Sequence, residues 1–247
     1  AQLYTGNGGT NNIVNGGSSN LQPDWVWTKE RNGTNWPSMY DSSRGVTKQI
    51  SSNVNNSQYN GISGVTAFNT DGYTLGSATN ENTNNNTYVS WQWKINGGTT
   101  ASNSDGSITS TVQANTTAGI SIITYTGNTT SGATIGHGLG VAPKVVFTKT
   151  LAIADNWLVY HKSMGATKYM TFNTSSTPST NAGGWNNTEP SSTVVTLGSF
   201  DNVNDNAAMV AYCFAEKQGY SKFGQYAGNS NADGAFVYTG FKPAFLL

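Results

Sequence analysis

The residues able to do acid–base, nucleophilic or metal chemistry are few in this chain, and their spacing does not bring them together. Glutamate occurs four times, at Glu30, Glu81, Glu189 and Glu216. Retaining glycoside hydrolysis needs two carboxyl groups about 5–5.5 Å apart, and these four are scattered through the sequence. His137 and His161 are the only histidines, 24 residues apart, with no third ligand at a metal-binding spacing. The single cysteine, Cys213, lies in an apolar run and reads as a small buried hydrophobe. Gly136-His-Gly138-Leu-Gly140 lacks the G-x-G-x-x-G pattern and precedes a strand, so it reads as a turn and not a phosphate loop. Asp201-Asn-Val-Asn-Asp205-Asn206 has the oxygen density of a calcium loop. It lacks the sixth-position glycine and the distal glutamate of an EF-hand. Asp201 and Asp205 are therefore weak calcium candidates, against the plain reading of a polar loop tip. No catalytic residue and no cofactor is expected, and the chain reads as a non-enzyme.

Binding is a different matter. Trp36, Tyr40, Asp41 and Arg44 place aromatic rings beside hydrogen-bonding groups, and Trp157, Tyr160 and His161 do so again about 120 residues later. An aromatic ring next to Asn, Asp or Arg can stack on a sugar face while polar groups bind its hydroxyls. The plainer alternative makes the rings core residues and Asp41–Arg44 a local ion pair that fixes a turn.

These residues hang on strands. Pro23-Asp-Trp-Val-Trp-Thr-Lys29 returns as Pro143-Lys-Val-Val-Phe-Thr-Lys149, 120 residues on. Proline is tolerated as a first strand residue, and the β-branched and aromatic side chains fit a pleated surface. Alternation puts Trp25 and Trp27 on one face and Val26 on the other. Leu3-Tyr4-Thr-Gly6-Asn7 returns as Ile123-Thr-Tyr125-Thr-Gly127-Asn128, and again as Gln225-Tyr226-Ala-Gly228-Asn229. Each reads as a strand ending in a Gly-Asn turn, since both residues tolerate positive φ. Thr74-Leu-Gly76-Ser77 matches Thr196-Leu-Gly198-Ser199, and Tyr88-Val-Ser-Trp91-Gln-Trp93 matches Met209-Val-Ala-Tyr212-Cys-Phe214. The aromatic alternation is kept while the aromatic changes, as a buried strand requires. Residues 207–217 are the best helical candidate, and their alignment with 86–96 favours a strand. Short strands between Gly/Asn/Ser/Thr turns predict an all-β fold of tandem antiparallel β-sandwich modules.

The expected organisation is a first module over residues 1–96, a linker over 97–107, a second module over 108–218 and a truncated third repeat over 219–247. Residues 108–113 are a candidate opening strand of the second module, and its counterpart in the first is expected before residue 1. The broken third repeat predicts more protein after Leu247. Only 10% of residues are charged, and 12 Lys+Arg balance 12 Asp+Glu. A neutral chain without basic clusters has no electrostatic reason to bind nucleic acid. Its apolar runs fall short of the roughly 20 residues of a membrane span. Asn-x-Ser/Thr sequons such as Asn32-Gly-Thr34 arise by chance in so Asn- and Thr-rich a chain.

The phrases Tyr-Thr-Gly-Asn, Pro-Asp-Trp-Val-Trp-Thr-Lys, Asp41-Ser-Ser-Arg44-Gly45, Phe68-Asn-Thr-Asp71-Gly72-Tyr-Thr-Leu-Gly76 and Tyr88-Val-Ser-Trp-Gln-Trp93 together resemble a repeat family of large structural proteins of tailed bacteriophages, marine ones especially. The likeness is looser in the second module, where Asp41-Ser-Ser-Arg44 becomes His161-Lys-Ser-Met164. The resemblance implies concanavalin- or SPRY-like jelly-roll modules and a virion component such as a fibre, tail or capsid-attached appendage. The expected partners are other virion subunits in a homo-oligomer, with a host-surface glycan as the alternative role. Glucanases of concanavalin shape carry a Glu-x-Asp-x-(x)-Glu strand, and no such triple occurs here.

Overall fold

The computed structural model describes residues 1–247. Module one contains β1 (Gln2–Thr5), β2 (Asn11–Ile13), β3 (Trp25–Glu30), β4 (Ser38–Asp41), β5 (Ile50–Ser51), β6 (Val65–Phe68), β7 (Tyr73–Leu75), the single turn α1 (Thr79–Asn82) and β8 (Thr87–Trp93). Module two contains β9 (Ala101–Asn103), β10 (Ser110–Asn115), β11 (Ile120–Thr126), β12 (Thr134–Gly136), β13 (Val145–Thr150), β14 (Leu158–His161), β15 (Lys168–Thr171) and β16 (Ser179–Thr180). It is completed by the turn α2 (Ala182–Trp185), β17 (Val194–Thr196), the turn α3 (Asp201–Asn204) and β18 (Ala208–Phe214). The fold is all-β and antiparallel, as the alternation predicts, and residues 208–214 are strand.

Both modules share one skeleton. The large sheet of module one runs β1-β8-β3-β4-β5, and the small one β2-β7-β6. In module two the large sheet runs β16-β15-β14-β13-β18-β11-β10-β9, and the small one is β12-β17. In each, the last strand inserts between the first Tyr-Thr strand and the Pro-led strand.

The alternation of the Pro-led strands assigns their faces. Val26, with Ile13, Tyr40, Val65, Tyr73 and Leu75, fills the core between the two sheets of module one. Val146, with Ile123, Tyr125, Met209, Ala211 and Cys213, fills the equivalent core of module two. The opposite faces do not meet water. Trp25, Trp27, Met39, Ile50 and Ile95 of module one pack against Ile120, Ile122, Val145, Phe147, Trp157, Val159, Val210 and Tyr212 of module two in one cluster. The molecule is a four-layer stack, small sheet on large sheet, twice, joined large face to large face. This explains why β13 is buried at every residue: a strand covered on both faces has no solvent side to alternate toward.

Three features differ from expectation. Residues 101–103, placed in the linker, form β9 and pair with β10, because Ala101, Ser102 and Asn103 find the open edge of that strand. The second module's sheet therefore starts inside the expected linker. Gly6 and Gly127 do not need positive φ. A Cβ on Gly6 would lie 2.2 Å from Thr83 O, and one on Gly127 2.1 Å from Asp205 O, so glycine is required by close approach of another backbone. Residues 222–247 contain neither strand nor helix. Phe245 reaches back onto Trp91 and Trp93, at centroid distances of 5.8 and 5.6 Å, while Tyr226, Phe236, Tyr238, Leu246 and Leu247 stay exposed.

Candidate functional site

The repeated phrases turn out to be latches. Tyr4 donates its hydroxyl to Glu81 O at 2.8 Å, and Tyr125 donates to Val203 O at 2.7 Å. Asn82 and Asn204 accept from the backbone N–H of Asn7 and Asn128, both at 2.9 Å, and donate to Gly76 O and Gly198 O at 2.7 and 3.2 Å. The Tyr-Thr-Gly-Asn strand end is thereby tied to the α1 or α3 turn in both modules. Lys29 and Lys149 also act alike, each donating its ammonium to two nearby carbonyls. Burial pushes the Lys149 ammonium down to about 8, against a smaller opposing pull from Asp155.

Most of the expected sugar-binding residues belong to the interior. Tyr40, Asp41 and Arg44 are buried. Asp41 Oδ2 accepts from Arg44 Nε and from the Tyr212 hydroxyl, both at 2.6 Å, and Asp41 Oδ1 accepts from Arg44 N at 2.8 Å. The guanidinium also donates to Lys48 O, Gln58 Oε1 and Met39 O. Burial opposes the Arg44 charge, but Asp41 and Tyr212 together outweigh it and hold the group above its ordinary value. The pair thus fixes a turn, and through Tyr212 it also reaches module two. Trp157 is buried in the intermodule core and donates Nε1–H to Ser51 O at 2.8 Å. Tyr160 is buried against Trp185 and donates to Glu189. His161 is half-buried and accepts from Ser163 N, and burial lowers its pKa. These six do not form an open site, because the faces they occupy are both covered.

Trp36 is the exception, at 40% exposure. The cause is one residue. Asn35-Trp36 and Asn156-Trp157 are 121 apart, but Tyr40-Asp41 and Tyr160-His161 are 120 apart, so Pro37 has no counterpart. A one-residue shift moves a strand side chain to the other face. Trp157 therefore enters the intermodule core two residues before Val159, whereas Trp36 lies two residues before Ser38, on the face away from that core. There it lines a cleft of about 330 Å³ with Asn35, Gln49, Tyr59, Ile62 and Asn80.

Sequence reasoning missed Gln49, Tyr59, Ile62, Asn80 and Glu81; the change of offset across Pro37 was the available signal that Trp36 faces away from the core. It also missed Asp24. That buried carboxylate accepts from the backbone N–H of Ile95, Gly97 and Gly98 at 2.6, 2.9 and 2.6 Å, and from Ser42 Oγ at 2.8 Å. Gln113 of module two donates to it at 3.4 Å. The signal was Asp24 facing Lys144 across the repeat.

Asp201 and Asp205 lie at either end of α3. Asp205 Oδ2 accepts from Thr150 Oγ1 at 3.2 Å, and Asn202, Val203 and Asn204 between them are buried. The run is a packed helical turn and not a free loop tip. No group of three or more His, Cys, Asp or Glu comes together that could hold a metal ion. His137 is buried, accepts from Leu139 N and meets Ser191 O. Burial pushes the Cys213 thiol up and away from a reactive thiolate.

A family model described as a domain of unknown function (DUF7483) matches residues 1–247. The chain belongs to this family. The match spans both modules and the C-terminal segment, so the DUF7483 unit includes the four-layer stack and not one sandwich alone. No curated protein and no solved structure matches the chain.

Proposed function

We propose that the chain is a non-enzymatic structural component of a tailed-phage particle, part of a fibre, tail or appendage, that presents a stiff polar surface toward the host. The observation that carries this reading is the continuous intermodule core, which joins two sandwiches into one stack through packed apolar side chains of both large sheets. A protein whose work is to hold shape under load gains from such a joint. The phrases shared with phage structural repeats point the same way. The low charge suits repeated packing of like copies, since neighbours do not repel. The groups with chemical potential are consumed by the fold: Asp41 by Arg44, Asp24 by three amides, Cys213 by burial. The partners under this reading are other subunits of the particle and copies of the chain, and the location is the virion.

The test is immunogold electron microscopy, with antibody raised against the chain, on particles purified from the virus or lysogen whose genome encodes it. Label on a discrete appendage is expected. Protein recovered from the infected cell but never from purified particles would overturn the reading.

A further inference from the structure

We propose that the cleft beside Trp36 in module one binds a neutral pyranose residue of a glycan, and that module two has no such site. The proposal deepens the host-contact part of the reading above.

The cleft continues into a second hollow of about 250 Å³ that shares Gln49, Ile62 and Asn80 with it and includes Glu81. Together they make one groove in the size range of small-ligand sites. Trp36 and Tyr59 border it at 40% and 39% exposure. Isolated exposed aromatics need no explanation, but two on one groove with an isoleucine between polar walls give an apolar surface for the carbon face of a sugar ring. The polar groups are available. The Asn80 side chain makes no hydrogen bond within the chain, and Gln49 donates from Nε2 to Ser38 Oγ at 2.6 Å while its carbonyl oxygen remains unused.

The second, independent observation is Glu81. It is fully buried, accepts from the Tyr40 hydroxyl at 2.9 Å through Oε1, and leaves Oε2 without a partner. A buried acceptor left unmatched costs about 1–3 kcal/mol, and a ligand hydroxyl would match it. Burial also raises this carboxyl above its ordinary value, with the side chains of Ser38 and Tyr40 opposing.

Charge selects the sugar class. Neither hollow is lined by Lys, Arg or His, so a sialylated, uronic or sulfated glycan would meet no counter-charge and would face a buried acid. A neutral sugar pays no such penalty. The site is not duplicated, because Trp157 is buried in the intermodule core and Val203 stands where Glu81 does. Binding is therefore one site per chain.

The experiment is a printed array carrying glucose-, galactose-, mannose- and N-acetylhexosamine-terminated oligosaccharides beside sialylated and sulfated ones, probed with the full chain. Selective binding to a neutral class is expected, with Trp36→Ala and Tyr59→Ala each weakening it about tenfold or more, which is about 1.4 kcal/mol. Both side chains are partly exposed, so both variants fold, as circular dichroism will verify. Tyr226→Ala, outside the groove, keeps full binding. Titration calorimetry with the best neutral oligosaccharide gives one site per chain. No binding, binding to acidic glycans alone, or binding untouched by Trp36→Ala would overturn the proposal. Particle labelling with no glycan binding removes this site and leaves the structural reading standing. Glycan binding by a protein absent from particles does the reverse.

Discussion

The two modules use the same strands to opposite ends at their margins. At the centre they match: Tyr4 and Tyr125, Asn82 and Asn204, Gly6 and Gly127 make the same contacts. At the intermodule face they diverge. Module one supplies Asp24, Asp41 and Arg44, where module two has Lys144, His161 and Met164. Module two extends its large sheet past β11 with β10 and β9, while β1, the counterpart of β11, is the edge of its own sheet. What repeats holds each sandwich together, and what does not repeat fixes one sandwich on the other or opens a cleft.

The largest effect should come from the shared face. Trp25 stacks on Trp93 and Tyr212 at 4.3 and 5.0 Å. Trp25→Ala should cost about 3–5 kcal/mol, read as a lowered urea midpoint for both modules together. Loss confined to module one would break the comparison. Next is the buried ion pair. Arg44→Met, the residue of module two, leaves Asp41 buried and unpaired and should cost about 3–5 kcal/mol. Replacing Asp41 by Leu as well should recover most of that, since the lost charge no longer needs a partner. A double variant no better than the single would show that the pair acts through Tyr212 instead.

The latches should behave as a matched set. Asn82→Ala and Asn204→Ala each strand buried backbone groups and should each cost about 1–3 kcal/mol in chemical denaturation. A large cost at one and none at the other would refute their equivalence. The smallest effect concerns Lys149. Its folded pKa is lowered to about 8 from 10.5, so between those pH values the unfolded chain holds more protons. Stability should rise with pH across that window. Lys149→Met should remove the rise, measured as thermal midpoints at pH 7.5 and 9.5.

Much of this was legible in the sequence. Alternation in Trp25-Val26-Trp27 and Tyr212-Cys213-Phe214, with Gly/Asn turns between, is enough for an antiparallel sandwich repeated near 120 residues. Alternation alone cannot say what covers the second face. Trp27, Trp91 and Phe214 are compatible with solvent, a ligand or another sheet, and the contact with module two depends on pairings far apart in sequence. The site was harder. An aromatic beside Asn or Arg looks the same whether it faces water or core, and only the unpaired Pro37 separates Trp36 from Trp157. Glu81 gave no signal, because its neighbours in space come from β4, Gln49 and the 61–63 loop.

The central claim is that the two sandwiches share one core, and differential scanning calorimetry tests it most directly. The account predicts one transition whose calorimetric and van't Hoff enthalpies agree, shifted as a whole by Trp25→Ala. Two resolved transitions, with Trp25→Ala moving only one, would contradict it.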